Sequence, residues 1–402
     1  RAGHVVVAGR AGVRLVDPSC EAAREAAHAS GVALSTQSLA LADALWRTTA
    51  TAVVARTPLP PWDASAMDGW AVAGAGPWTV VGDQRAGMAP AGPLAAGQAV
   101  RIATGAVLPA GTSAVLRRED ATVDSAEQVH GVPRAGGDIR HAGEECPAST
   151  TLVAAGQVLS PVRLGLAAAG GNDVVDVVRR PRAVVLVLGD ELLHDGVPRA
   201  GRVRDSLGPL LPGWLTGWGC EVVGVRPVAD RADEHAASIS SALTEADLVV
   251  TTGGTAAGPA DFVHRAVTET GGDLVVDGVH CRPGHPMLLA RWTRDDGPRW
   301  LVGLPGNPHA AIAALMTLAQ PLLLALHGTD LPALARVPVA ARIGPRGTGT
   351  RLVPCRIVDG AAHPGEHIGS GMLRGLAAAD GLAVAAGELA AGELVRWLPL
   401  PR

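Results

Sequence analysis

Apolar and polar residues alternate along this chain in blocks whose period changes several times. Between about 35 and 55, Leu39, Leu41, Ala44 and Leu45 recur at helical spacing, which predicts an amphipathic helix. From about 56 to 145 the apolar runs shorten to Trp78-Thr79-Val80-Val81, Ala99-Val100-Arg101-Ile102 and Ala114-Val115-Leu116. Gly and Pro break them, as in a small β domain. Helix-forming composition returns at 146–180, where Val162 to Ala169 is closed by Gly170-Gly171. From 181 to 330, strand and helix patterns alternate. Ala183–Leu188 is an unbroken apolar run, as expected of a strand buried on both faces. Strands are also predicted at Glu221–Val228, Leu248–Thr252, Leu274–Val276 and Trp300–Val302. Helices are predicted at Leu207–Trp218, His235–Leu243, Phe262–Thr270 and His309–Leu326, the last kinked or broken at Pro321. The tail from Pro332 is β-rich.

This alternation predicts a multidomain α/β protein built on a doubly wound parallel sheet. The expected domains are a discontinuous helical domain (1–55 and 146–180), a small β domain inserted into it (56–145), the α/β domain (181–330) and a C-terminal β-barrel-like domain (331–402).

Composition narrows the class. Of 402 residues, 48% are hydrophobic, enough for several cores. The net charge of −4, with no basic tract, argues against nucleic acid as a partner. Five scattered Cys, with no C-x-x-C pair, argue against a disulfide framework or a zinc cluster and suit a reducing cytoplasm. No apolar run is expected to span a membrane, which takes ~18–20 residues, and no secretory leader is visible at Arg1-Ala2-Gly3-His4. The chain has no Lys and heavy Ala, Gly and Arg use, a bias that acts along its whole length.

Three glycine turns follow apolar runs: Gly253-Gly254, Pro283-Gly284 and Pro305-Gly306. Turns at strand ends leave outward-facing N–H groups for an anion, so the three predict one anionic site at the carboxyl edge of the sheet. Acidic residues lie nearby. Asp190 and Glu191 follow the Ala183–Leu188 strand and suit either metal or substrate binding or a helix N-terminal charge pair. Asp205-Ser206 reads first as a helix N-cap. In the β region, Asp63, Ser65 and Asp68 fall in one short segment, which suits a hard cation, a proton relay or an Asp/Ser-rich turn.

Taken in order, these segments resemble the molybdopterin molybdenumtransferase family, the MoeA proteins and the gephyrin E domain, from about residue 35 to 400. The family's P-P-F-D-N-S-A-M-D-G-Y-A-V matches Pro60 to Val72, and R-I-M-T-G-A-x-x-P-x-G matches Arg101 to Gly111. G-E-D matches Gly143 to Glu145, T-G-D-E-L matches Leu188 to Leu192, and R-D-S-N matches Arg204 to Leu207. G-G-V-S-V-G-x-x-D-F matches Gly253 to Phe262, K-P-G-K-P matches Arg282 to Pro286, and L-P-G-N-P matches Leu304 to Pro308.

The resemblance implies a homodimer that inserts molybdate into adenylylated molybdopterin with release of AMP, using Mg²⁺, and a molybdopterin adenylyltransferase as a partner. It assigns catalytic roles to Asp68, Thr104, Glu191 and Asp261, and metal ligation to Glu145, Glu191, Asp230 and Asp261. It assigns substrate binding to Gly253, Gly254, Asp205, Ser206, Arg282, Pro283, Gly284, His285, Pro305, Gly306 and Asn307. The chain departs from the family pattern at Ala256, Pro259, His285 and Leu207. These departures leave two functions open: an active transferase, or a diverged non-catalytic paralogue acting as a molybdopterin carrier or assembly partner.

Overall fold

The Val-rich run at 183–188 becomes the strand Arg182–Leu188 (β1), at the heart of an eight-stranded sheet. The computed structural model describes residues 5–9, 12–199, 201–256, 262–345 and 349–401. These divide into two units, Arg1–Gln37 with Val178–Arg402, and Ser38–Val177.

In the first unit β1 lies between Glu221–Val228 (β2) and Leu248–Thr252 (β3), parallel to both. Strand β3 pairs in turn with Arg299–Leu304, also parallel. Alternate side chains of β1 feed two cores. Ala183, Val185 and Val187 pack with Leu207, Leu211 and Leu215 of the helix Leu207–Gly217 (α1). Val184, Leu186 and Leu188 pack with Ile239 and Leu243 of Ala232–Glu245 (α2) and with Val263 and Val267 of Val263–Glu269 (α3). The helices after β1 and β3 therefore lie on opposite faces, and the carboxyl ends of these neighbouring strands form the crevice where such sheets bind ligands.

Beyond Arg299–Leu304 the sheet is no longer parallel. Leu288–Trp292, a strand the periodicity did not predict, pairs with it antiparallel and hands on to Asp273–Asp277. A hairpin, Val5–Gly9 and Gly12–Val16, completes that edge. By their contacts the first 37 residues group with Val178–Arg402. The helix Cys20–Ser30, capped by Ser19, buries Ala23 and Ala27 in the same core as Leu322 and Leu326.

The apolar stretch after Pro308 runs as one helical segment to Leu326, with a π turn at Leu315–Ala319 immediately before Pro321. In that register Gln320 N–H reaches Leu315 O, and the next bond would need an N–H that Pro321 lacks. Arg24, buried beneath, donates its guanidinium to the orphaned Met316 carbonyl. The helical segment thus continues through Pro321 by way of the π turn rather than breaking there. This is the one segment among the described residues long and apolar enough to cross a membrane, against expectation, but 89% of it is buried within the unit, as in a core helix.

The tail folds as a β sheet, Ala335–Pro338, Thr350–Val358, Gly381–Ala385 and Leu394–Pro399, with Ala361–Pro364 paired to Thr350–Val358. At its edge lies Cys281–Arg282, parallel to Thr350–Val358.

In the second unit the predicted β runs form a six-stranded sheet. The predicted helix at 35–55 is absent. Thr36–Ala40 is a strand with alternating exposure, followed by a short 3₁₀ turn at Leu41–Asp43. Trp46 has φ +60, which a helix interior excludes. The predicted helix near 162 runs from Pro161 to Ala169, with Ser160 as N-cap and Gly170 at its end.

Asp277, at the end of its strand, is held by His264 (2.7 Å) and by Arg14. The hydrogen bond from His264, aided by Arg14, lowers its pKa to about 2. A folded-state pKa below the unfolded value of about 3.9 stabilises the fold above that pH, and the gain is lost as pH falls through the folded value. Urea melts should therefore lose on the order of 2 kcal/mol between pH 5 and pH 2 through this group. Asp277→Asn should lose that share of the pH dependence; a variant whose acid profile matches the parent would exclude it.

Candidate functional site

At the carboxyl edge of the sheet the ends of β1 and β3 open into a cleft of about 750 Å³. Its walls include Glu191, Asp205, Ser206, Asp230, Gly253, Gly254, Gly306 and Asn307. Segments more than a hundred residues apart in sequence converge there because parallel strands deliver every following loop to the same edge.

Strand β1 ends at Gly189 (φ +138), where a Cβ would fall 2.7 Å from a Glu191 carboxylate oxygen. Glycine is required for that turn, and the turn places Glu191 in the cleft. The next residue, Asp190, and Asp230 after β2 clasp one another. Asp190 N–H donates to Asp230 Oδ2 (3.2 Å) and Asp230 N–H to Asp190 Oδ1 (3.3 Å). This reciprocal bond fixes the loops after β1 and β2 together. Asp190 serves here as a loop clasp rather than as part of a helix N-terminal pair.

Asp205 is buried, and its Oδ1 accepts from the N–H groups of Leu207 (3.0 Å) and Gly208 (2.9 Å). It is the cap of α1, as its sequence position suggests, while the pair also borders the cleft. Leu207, standing where the family has Asn, packs against β1 and presents an apolar surface to the cleft.

The glycine turn after β3 takes φ +84 at Gly253 and +68 at Gly254. A Cβ on Gly254 would meet Val263 Cγ2 at 3.0 Å and Leu188 Cδ1 at 3.2 Å, so nothing larger fits. The turn does not leave all its amides outward-facing, however. Gly253 N–H donates to Leu304 O (2.7 Å). At the helix after Asn307, His309 N–H (2.9 Å) and Ala310 N–H (3.4 Å) both donate to Ser370 O from the C-terminal region. Pro308 has no N–H to offer. The expected nest of free amides is therefore partly closed by the protein's own carbonyls.

Of the L-P-G-N-P residues, Gly306, Asn307 and Pro308 line the cleft, whereas Pro305, buried just after its strand, does not. The Arg282-Pro283-Gly284-His285 turn is also absent from the cleft lining. Arg282 is drawn into the C-terminal sheet. Gly284 (φ +111) packs against Met287 and the Ala310 carbonyl, and His285 Nε2 pairs with Asp17 (2.9 Å). The His285–Asp17 pair ties this turn to the N-terminal segment. Asp261 and Pro259 lie outside the described residues.

In the second unit Thr104 donates both its N–H (2.7 Å) and its hydroxyl (2.8 Å) to Asp68 Oδ1. These bonds, the backbone one first, hold the Asp68 carboxyl below its ordinary pKa. Asp63 does not join it. Asp63 Oδ1 accepts from Ala142 N–H (2.8 Å), and Oδ2 lies 3.5 Å from His141, so this residue ties a turn. Ser65 is buried and donates to Met67 O. Glu145 is exposed on its loop.

Among the described residues no group of three or more His, Cys, Asp or Glu is close enough to hold a metal by itself. Glu191 and Asp230 share the cleft, and Mg²⁺ is commonly held by one or two carboxylates with water and substrate phosphate completing the shell. Sequence reasoning missed Gly371 and Leu373 in the cleft wall, because nothing local in the tail signals that it folds back onto the sheet edge.

Family models match nearly the whole chain in three pieces. The MoeA N-terminal region (domain I and II) matches residues 18–171, the probable molybdopterin binding domain 184–325, and the MoeA C-terminal region (domain IV) 336–400. The chain is 33% identical over 301 residues to molybdopterin molybdenumtransferase of Haemophilus influenzae, covering 73% of each. It is 34% identical over 355 residues to molybdopterin molybdenumtransferase 2 of Mycobacterium tuberculosis, covering 82% of this chain and 86% of that one. A crystal structure of the MoeA protein of Pyrococcus horikoshii superposes with a TM-score of 0.80 at 25% identity, over 96% of this chain and 100% of that one. With its three regions matched in order and a third of the aligned residues shared with such relatives over most of their length, the chain belongs to the molybdopterin molybdenumtransferase (MoeA) family.

Proposed function

We propose that the cleft between the ends of β1 and β3 binds adenylylated molybdopterin, and that the chain inserts molybdate into its dithiolene with release of AMP. The observation that carries this reading is the pairing of Glu191 with Asp230 in one cleft at the switch point of the sheet. Two carboxylates facing a site bordered by a glycine turn suit a phosphoanhydride accompanied by a divalent cation.

Glu191 and Asp230 would hold Mg²⁺, with Asp261 and Glu145 as further ligands implied by the family pattern. A divalent cation held there would supply positive charge to the substrate phosphates. Gly254, Gly306 and the Asn307 side chain border the phosphate-facing wall, Ser206 offers a hydroxyl and Arg204 a positive charge. The catalytic role that the resemblance implies for Asp68 and Thr104 belongs to the same reading. A homodimer, and delivery of the adenylylated substrate by the adenylyltransferase, belong to the same reading. The transferase reading is preferred to the carrier reading because the quoted relatives are named as transferases.

Purified protein supplied with Mg²⁺, molybdate and adenylylated molybdopterin should release AMP, followed by chromatography, and yield cofactor that activates an apo-molybdoenzyme. AMP release no faster than in a protein-free control would overturn the assignment.

A further inference from the structure

On the inner face of α2, where Ile239, Ala242 and Leu243 are all apolar and buried, stands one histidine. The side chain of His235 has 0% exposure, and neither ring nitrogen makes a hydrogen bond of ordinary geometry among the described residues, although the Ala229 backbone and Asp230 act on the ring. An imidazole placed so is costly, because its nitrogens lose water for partners that are not closed. Leucine would fill this place without that cost.

The position of the ring explains it. His235 lies beneath two parts of the cleft at once. Its Cε1 would be 3.5 Å from a Cβ on Gly254, so it is close under the β3 glycine turn. Its Nε2 is 3.7 Å from Oδ1 of Asp230, the carboxylate that lines the cleft. Phe262, just before α3, packs edge-on against the ring with centroids 5.5 Å apart and the planes at 84°. That edge contact restrains the ring. The two oxygens of Asp230 are distinguished: Oδ2 accepts from Asp190 N–H, and Oδ1 faces the imidazole. Either a neutral or a charged imidazole can carry a proton on Nε2, so the ring can act as a donor there.

We propose that His235 is a positioning residue: its Nε2–H holds Oδ1 of Asp230 so that the carboxylate presents one fixed orientation to a divalent cation and phosphate in the cleft. The gap of 3.7 Å exceeds a hydrogen bond by about 0.5 Å, a closure the partly exposed Asp230 side chain can make when a ligand draws it inward. Histidines and backbone groups that orient metal-binding carboxylates from behind act in this way. The inference rests on the cleft assignment above and adds to it the residue that sets the geometry of Asp230.

The test compares His235→Leu with His235→Gln, since Gln restores an N–H donor and Leu fills the space without one. Binding of Mn²⁺ in the presence of AMP, followed by electron paramagnetic resonance, is the first readout. His235→Leu should weaken Mn²⁺ binding roughly 10- to 100-fold, while its melting temperature stays level or rises because a poorly paired buried polar group has gone. His235→Gln should recover most of the affinity. The Mg²⁺ concentration for half-maximal AMP release should move in the same order. Undiminished Mn²⁺ binding in His235→Leu, failure of Gln to improve on Leu, or a parent protein that binds no Mn²⁺ would each overturn the proposal. Ordered Mn²⁺ affinities with no AMP release by the parent would uphold the role of His235 and refute the transferase reaction instead.

Discussion

Glu191→Gln is expected to lower kcat/KM for AMP release roughly 10²- to 10³-fold, the scale on which loss of one preorganised charge at a reacting phosphate is felt. The exchange keeps the shape of the side chain and removes only its charge. Glu191 follows the Gly189 turn and is not part of a core, so the melting temperature should stay close to that of the parent. Asp230→Asn should cost a comparable factor. If both carboxylates serve one cation, the double variant will lose far less than the product of the single losses, because removing either already disables the shared site. Steady-state kinetics on the four proteins across a Mg²⁺ series measures this coupling. Full multiplicativity would mean that the two residues act separately, and activity at parental levels in Glu191→Gln would remove this residue from the reaction.

The second large effect is on stability, at the opposite edge of the sheet. Asp247 opens β3 and is buried, and Arg179 grips it with two bonds of 2.6 and 2.7 Å. Arg182 N–H adds a third bond at 2.9 Å, while the Asp247 carbonyl accepts from the N–H of the fully buried Trp300. Burial works against the charged carboxylate, but the hydrogen bonds and charge of Arg179 together with Arg182 N–H outweigh it and leave its pKa lowered. Asp247→Ala strips the partner from a partly buried guanidinium and leaves a space between β1 and β3. Loss of one member of such a pair costs about 3–5 kcal/mol, and so roughly 10 °C in the melting temperature of this unit. At low temperature kcat should survive, because the residue sits at the start of β3 and the cleft at its end. Calorimetry beside kinetics separates the two, and an unchanged melting temperature would show that the pair contributes little net stability.

The two residues mark how far the chain can be read without coordinates. Glu191 was recognisable because it follows a run of six apolar residues, Ala183–Leu188, that could only be a strand buried on both faces. The same reasoning found β2, β3 and most helices of the α/β unit, whose local periodicity agrees with their final burial. It failed where local pattern and tertiary setting part. Leu39 to Leu45 has helical spacing, yet Trp46 adopts a positive φ and Thr36–Ala40 joins a strand pair. Leu288–Trp292 carried no strand prediction, and became a central strand because Arg299–Leu304 and Asp273–Asp277 flank it.

By itself the sequence determined the parallel core of the sheet, the glycine turns, the capping of α1 by Asp205 and the ordered motifs that carry the family. Each depends on residues adjacent along the chain, where side-chain period and backbone freedom act directly. Only the tertiary structure decided which of the turns serve the cleft. It draws Arg282 into the C-terminal sheet, pairs His285 with Asp17, and caps the helix after Asn307 with the carbonyl of Ser370. It also clasps Asp190 to Asp230 and sets His235 behind them. These pairings join groups up to hundreds of residues apart, and whether an amide or carboxylate is spent on the protein or left for a ligand depends on which distant partner the fold brings within 3 Å or so.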